Sequence, residues 1–268
     1  MTETMPPGRR REAFDSVADL YDSYRPVYPD VVVADVIGSA HLVRGSRVLE
    51  IGCGTGQLSR PLAKLGVNLV AVELGPHLAD RARRHFAPFP NAAVEVEAFE
   101  DWPIPEQPFD AVIAATAFHW VDPNVRLAKS AQALKPDGFL TLVHPHHVQG
   151  GTPGFLEDTQ EYYVKWGLSD DPFFQPTAPD DVPSMYPELD SSPMFDSVER
   201  HRFETAREFS SAGEYVGWLN TDSLVLGLDD ETRHGFLTEI GTLVASKYHG
   251  NVARAWVYEV IVARRTTA

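Results

Sequence analysis

The stretch "VLEIGCGTGQLSRPLA", Val48 to Ala63, sets three glycines into five positions between an apolar run and a helix-like pattern. Each glycine weakens a helix or strand by roughly 0.5–1 kcal/mol relative to alanine. Met three times in a row, that penalty marks a place where the chain needs backbone without side chains. Just before it, "RVLEIG" (47–52) has the make-up of a short buried strand. Just after it, "SRPLAKLG" (59–66) reads as the end of a helix. The glycines stand at a strand-to-helix turn.

Downstream, the same alternation repeats. "NLVAVEL" (68–74) predicts a strand, "HLADRARRHF" (77–86) a helix, and "AAVEVEAF" (92–99) and "FDAVIAATA" (109–117) two more strands. "PNVRLAKSAQALK" (123–135) predicts a helix and "GFLTLVHP" (138–145) a strand. Strands alternating with helices argue for an α/β fold with a parallel sheet and helices on both faces. The near-continuous apolar strands fit burial on both sides. Upstream, Glu12 to Tyr24 has helical spacing, "YRPVYP" breaks it, and a second helix is expected from Asp30 to Leu42 with Asp30 as its cap. Residues 1–11, with "PPGRRR", are expected to be disordered.

Between His146 and Pro193 the pattern changes. Prolines 172, 176, 179, 183 and 187 are interspersed with Phe155, Tyr162, Tyr163, Trp166, Phe173, Phe174 and Tyr186. This reads as an insertion folded over the sheet. After it, "SVERHRFET" (197–205) alternates as a strand, 210–220 and 230–247 read as helices, and "ARAWVYEVIVARR" (253–265) closes as an alternating strand.

Composition narrows the classes of function. A length of 268 residues suits one α/β domain with an insertion, or at most two domains. Lys plus Arg number 23 against 38 Asp plus Glu, a net charge of −15, which repels phosphate backbones and anionic membranes. No nucleic-acid or membrane partner is expected, and a small-molecule substrate is; no oligomeric state is read from the residues. The single cysteine, Cys53, excludes an intrachain disulfide and suits a reducing cytosol. With no signal peptide and no apolar run of membrane length, a cytoplasmic protein is expected.

In an open α/β sheet, ligands bind beyond the carboxyl ends of the strands, where Gly52, Gly54 and Gly56 fall. Glu50 stands at the first strand's end and Glu73 at the second's, 21 residues after Gly52, where a carboxylate can accept both ribose hydroxyls of an adenosine. A glycine trio alone could equally be a tight strand-to-helix connection. The dinucleotide fingerprint would place a third glycine where this chain has Gln57. That departure speaks against an NAD-dependent oxidoreductase.

"VLEIGCGTG" resembles the first motif of class I S-adenosylmethionine-dependent methyltransferases, in particular the group containing trans-aconitate and ubiquinone-pathway enzymes. "VAVEL", "EAFEDWPI", "FDAVIAATAFHWVDP" and "LAKSAQALKPDGFLTLV" resemble the motifs that follow, and the likeness covers about residues 12–145. It implies a Rossmann-like α/β fold: a seven-stranded sheet whose antiparallel last strand is inserted beside the fifth. Residues 197–205 and 253–265 would supply strands six and seven. It also implies a methyltransferase domain over 12–268, with N-terminal cap helices (12–42) and a lid insertion (146–195) between strands five and six. The cofactor implied is S-adenosyl-L-methionine, the product S-adenosyl-L-homocysteine. Glu50, Gly52, Gly54 and Gln57 would face its methionine end, Glu73 its ribose, and Leu74, Phe99 and Glu100 its adenine. Ala115 and Thr116 would touch it by backbone, and Arg25 would pair with its carboxylate. Phe99 departs from the small residue common in the family at that position.

An activated methyl leaves the protein mainly the task of alignment. His119 is the candidate base, with a backbone-bonded structural histidine as the other reading, and Tyr21 is a candidate at the methyl-transfer site. Tyr28, Phe118, His119, His144, His146 and Trp166 are the candidate acceptor contacts. "HPHH" (144–147) supports no metal site, because the strand is not expected to continue through Pro145 and no further ligands stand at metal spacing. The aromatic insertion suits an apolar or aromatic acceptor, while the acid excess disfavours an anionic one. A module that holds the cofactor without catalysis is a further alternative.

Overall fold

The computed structural model describes residues 11–267. Of the segment expected to be disordered, 1–10 lie outside the described residues and Arg11 is helical. In chain order, a 3-10 turn at Phe14–Val17 leads into α1 (Ala18–Tyr24), α2 (Asp30–Ser39), β1 (Arg47–Ile51), α3 (Ser59–Leu65) and β2 (Asn68–Glu73). Then come α4 (Pro76–Phe86), β3 (Ala92–Val96), β4 (Phe109–Ala115), α5 (Arg126–Ala133), β5 (Leu134–Val148) and α6 (Phe155–Lys165). The chain closes with β6 (Phe195–Phe209), α7 (Ala212–Leu219), α8 (Ser223–Leu226), α9 (Asp230–Lys247) and β7 (Val252–Arg265).

The strands form one seven-stranded sheet in the order β3-β2-β1-β4-β5-β7-β6. The pairs β1–β2, β1–β4, β2–β3 and β4–β5 are parallel. β7, the last strand, is antiparallel and lies between β5 and β6, as the resemblance implied. Ile51 is in register with Val72, Glu73 with Val96, and Ala115 with Val143. The loops after β1, β2 and β4 therefore leave the sheet along one rim.

The chain divides into two compact units. The sheet unit holds Pro26–Pro145, Pro183–Phe203 and Tyr258 onward; the other holds the residues up to Arg25, His146–Val182 and Glu204–Val257. The expected insertion 146–195 thus contains α6 and is shared between the units at Val182. In the sheet unit, β1 and β4 are buried along almost their whole length, and Val48, Leu49, Val112, Ile113, Leu140 and Leu142 are fully inaccessible. α3 and α4 pack against β2 and α5 against β4. α3 stops at Gly66, whose φ of 87° is the left-handed conformation of a helix cap. α4 carries Pro76 in its first turn and Arg83, Arg84 and His85 in its last, the arrangement that a helix dipole favours.

In the second unit Phe155, Phe209 and Trp218 stack around Tyr215 with ring centroids 5.1–5.6 Å apart. α7 is capped by Ser211, which accepts from the N–H of Glu214, and α9 by Asp229, which accepts from Thr232. We call this the aromatic unit.

Three expectations are corrected. Asp30 is not a cap: Pro29 holds that position with extended backbone, and Asp30 lies in the first turn, where its charge suits the helix dipole. β5 does continue through Pro145. The carbonyl of Val143 accepts from Thr116 N–H (2.8 Å), so Val143 faces β4; Pro145, two residues on, faces the same side past the end of β4, where no ladder bond is lost. β7 alternates only at its start and is buried without a break from Trp256 to Ala263, so both of its faces are covered there. Among the described residues no helix is long and apolar enough to cross a membrane.

Candidate functional site

The turn after β1 is built from positive-φ glycines: Gly52 at 67°, Gly54 at 57° and Gly56 at 98°. At Gly52 a Cβ would lie 2.5 Å from the Cβ of Ala117, in the loop after β4, so the two loops touch through bare backbone. The N–H of Gly52 extends the ladder to the carbonyl of Val72 (2.8 Å). The N–H of Gly54 donates to Glu73 Oε2 at 2.8 Å, and that of Gly75 to Glu73 Oε1 at 2.9 Å. Glu73 is buried, and this pair of bonds fixes its carboxylate between the loops after β1 and β2.

Glu50, at the end of β1, is also buried and accepts the hydroxyl of Ser59. Burial pushes its carboxyl up to about 8, against the bond from Ser59 and with a further push from the charge of Glu73. Glu50 is a neutral acid at neutral pH. Cys53 is buried beside the same two acids, and burial first, then their charges, push its thiol well up, which makes it unreactive. Gln57 donates to Thr55 Oγ1 (2.8 Å) within the loop.

Leu74 is half-buried at the exit of β2. Phe99 is buried, with Lys129 Nζ 5.5 Å from its ring centre. Glu100 Oε1 accepts from the N–H of Asp122 at 3.1 Å, which ties the loop after β3 to the loop after β4. Thr116, directly after Ala115, holds φ at 57°, a conformation unusual for a β-branched residue and a mark of a constrained loop. Its hydroxyl lies 2.8 Å from that of Tyr28, whose ring packs edge-on against Tyr258.

His119 follows on a short 3-10 turn, Phe118–Trp120. Its Nδ1 is buried with no hydrogen-bond partner, and its ring lies 5.5 Å from that of His144. Burial, then the charge of Arg126, pull its pKa down to about 4, so the imidazole is neutral at physiological pH. Phe118 is part of the core, 5.4 Å from the ring of Tyr186.

Arg126 and Tyr186 were missed by the sequence reading. Arg126 lies over the rings of Phe118 and Tyr186 and pairs with Glu188. Tyr186, at a φ of 56°, packs edge-on against Phe118 in the turn that carries His119. Together they strap that turn. No periodic pattern announces Tyr186; only its proline-rich setting hinted at a fixed loop.

Tyr28, Glu50, Gly52, Gly54, Gln57, Glu73, Leu74, Phe99, Glu100, Ala115, Thr116, Phe118, His119 and His144 all belong to the sheet unit. Tyr21, Arg25, His146 and Trp166 belong to the aromatic unit. There Arg25 donates to the carbonyl of Thr221 and lies over Tyr21. Trp166 donates to Glu239 Oε2 (2.9 Å) and packs on Gly235, where a Cβ would meet its ring at 2.2 Å. Among the described residues no group of three or more His, Cys, Asp or Glu could hold a metal ion.

Comparison with known proteins places this geometry. The family model described as a methyltransferase domain matches residues 48–138. An uncharacterized methyltransferase of Mycobacterium bovis is 34% identical over 131 residues, 49% of this chain and 51% of that one. A ubiquinone biosynthesis O-methyltransferase of Xanthomonas campestris is 38% identical over 121 residues, 44% of this chain and 48% of that one. The chain thus spans about half the length of the curated relatives it matches. Among solved structures, a Geobacter sulfurreducens S-adenosylmethionine-dependent methyltransferase in complex with S-adenosylhomocysteine aligns over 97% of this chain and 99% of that one, at TM-score 0.52 and 14% identity. A Haemonchus contortus phosphoethanolamine N-methyltransferase aligns over 94% of this chain and 58% of that one, at TM-score 0.55 and 15% identity.

Proposed function

We propose that this chain, a member of the class I S-adenosylmethionine-dependent methyltransferases, transfers a methyl group from S-adenosylmethionine to a small apolar or aromatic organic acceptor. The observation that carries the reading is the carboxylate of Glu73, braced by the N–H groups of Gly54 and Gly75. Each oxygen accepts one N–H there, and a carboxylate oxygen has more than one acceptor direction, which suits the two neighbouring hydroxyls of a ribose.

Bound S-adenosylmethionine supplies a methyl group already activated on a sulfonium. The chain's own residues then bind, align and exclude water. The positive-φ main chain of Gly52 and Gly54 would face the methionine end, beside Gln57 and the neutral acid of Glu50. Leu74, Phe99 and Glu100 would flank the adenine, and Ala115 and Thr116 would offer backbone. Alignment of this kind can lower a barrier by roughly 7–11 kcal/mol. Neutral His119 takes the acceptor's proton, while Tyr28 and His144 line its approach.

Calorimetric titration tests the reading. S-adenosylhomocysteine binds and NAD does not, and Glu73→Ala weakens the former by about 1–3 kcal/mol, the scale of hydrogen bonds to a charged group. Tight NAD binding without S-adenosylhomocysteine binding would overturn the proposal, and an unchanged affinity in Glu73→Ala would remove that residue from the site.

A further inference from the structure

Among the described residues, four charged side chains other than histidine are buried: Glu50, Glu73, Arg254 and Glu259. Three are accounted for. Glu73 accepts two backbone N–H groups, Glu259 is met by Arg202, Ser184 and the N–H of Met185, and Glu50 is held neutral beside Ser59. Arg254 is different. It is 6% exposed, its charge is permanent, and among the described residues no carboxylate pairs with it.

Its neighbours are neutral. Nη1 donates to the hydroxyl of Tyr215 at 3.0 Å and Nη2 to Nδ1 of His147 at 3.3 Å, while Nε is buried with no partner at all. An arginine buried without a counter-charge is strongly unfavourable. The chain has 38 acidic residues to draw on, yet none among the described residues forms an ion pair with Arg254; Asp222 is felt only through space, at Tyr215 and Tyr163. The same place is walled by rings: His147 lies 5.6 Å from Trp256 and 6.0 Å from Trp218, and the two indoles lie 5.7 Å apart. Trp218 and Trp256 are buried, whereas His147 is exposed.

We propose that Arg254 anchors a binding site for a small planar aromatic carboxylate, whose place is kept by the ring of His147. The ligand's carboxylate replaces Nδ1 of His147 at Nη2 and reaches the idle Nε–H, and its flat body takes the imidazole's position against Trp218 and Trp256. A carboxylate matches the charge and plane of one guanidinium. A phosphate dianion would keep one negative charge unanswered among the rings. All the residues of this site belong to the aromatic unit, and the inference does not rest on the methyl-transfer reading. It reverses the expectation, drawn from net charge, that an anionic ligand is disfavoured: a global excess of acid says nothing about a local buried cation.

The test uses the full chain and two probes of one shape, 2-naphthoate and 2-naphthamide, followed by tryptophan fluorescence and calorimetry. The carboxylate binds about tenfold or more tighter than the amide, the scale of a charge-assisted hydrogen bond. Arg254→Met abolishes that preference, and His147→Ala tightens carboxylate binding by removing the ring that holds its place. S-adenosylhomocysteine titrated into the same variants separates this proposal from the cofactor reading: Arg254→Met keeps its affinity for S-adenosylhomocysteine, while Glu73→Ala keeps its affinity for naphthoate. Equal binding of the two probes, a preference that survives Arg254→Met, or weaker carboxylate binding in His147→Ala would overturn it. If Arg254→Met does not fold, the probe comparison on the wild type and on His147→Ala still decides.

Discussion

Buried charge is handled in opposite ways in the two units. In the sheet unit every buried acid is answered or neutralised: Glu73 is held by the N–H groups of Gly54 and Gly75, Glu259 is met by Arg202, Ser184 and the N–H of Met185, and Glu50 is kept neutral by burial. In the aromatic unit Arg254 keeps its charge and is met only by a phenol and an imidazole. The first arrangement is complete before a ligand arrives and asks only for hydroxyls. The second lacks a carboxylate in direct contact among the described residues. A site made of backbone tolerates little change at its glycines, while a site made of side chains changes its ligand with one residue.

The largest expected effect sharpens the sheet-unit side of this contrast. If His119 takes the acceptor's proton, His119→Gln lowers kcat by about 10²-fold, the low end for general-base catalysis, because a pKa of about 4 makes it a weak base. Affinity for S-adenosylhomocysteine does not change, because the main-chain grip on the cofactor is untouched. With its pKa pulled down to about 4, the base form of His119 persists through the neutral range. The wild-type rate therefore loses this contribution only as pH falls through about 4. A rate in the glutamine variant equal to the wild type across pH ends the candidacy of His119.

The next prediction tests whether burial keeps Glu50 neutral. A carboxyl whose folded pKa is raised from 4.5 to about 8 binds more protons folded than unfolded between those values. Its contribution to stability is complete below 4.5 and is lost as pH rises through about 8. Over that window the group lowers the unfolding free energy by about 1.4 kcal/mol per pH unit. Glu50→Gln mimics the neutral acid, keeps an acceptor for Ser59 and removes this slope. Urea unfolding of both proteins at pH 5, 6.5 and 8 reads the difference. Parallel slopes would mean that Glu50 is ionised in the folded chain, and the contrast with Arg254 would narrow.

The same contrast explains what could be read from the sequence. The sheet unit's site follows from local order: apolar runs end in glycines, and parallel register carries Glu73 to Gly54 across 19 residues. The aromatic unit defeats periodicity. The buried residues of α6 are Phe155, Thr159 and Gln160, two of them polar, so its core face carries no apolar stripe. Arg254 reads as the solvent side of an alternating strand, yet it shares the buried face at the start of β7 with Val252 and Trp256, while Ala253 and Ala255 are only half-buried. The partners of Arg254 come from positions 147 and 215, and the rings against His147 from 218 and 256, a grouping no spacing encodes. Tyr186 reaches the turn of His119 from a proline-rich segment in the left-handed conformation, which again leaves no repeat to find.

The smallest expected effect probes the main chain itself. Gly52 combines a φ of 67° with a Cβ position 2.5 Å from the Cβ of Ala117, so two separable reasons exclude a side chain there. Gly52→Ala lowers stability by about 1–3 kcal/mol, the range for a residue held in a rare backbone region. Ala117→Gly removes the opposing methyl and costs about 0.5–1 kcal/mol as a plain loss of side chain. Combined, the two substitutions cost less than their sum, because the alanine at 52 then meets open space and only the backbone strain of about 1–2 kcal/mol remains. Denaturant unfolding of the four proteins gives the coupling. Strict additivity would show that the loops after β1 and β4 yield freely, and a backbone that yields freely could not hold the carboxylate of Glu73 in place for a ribose.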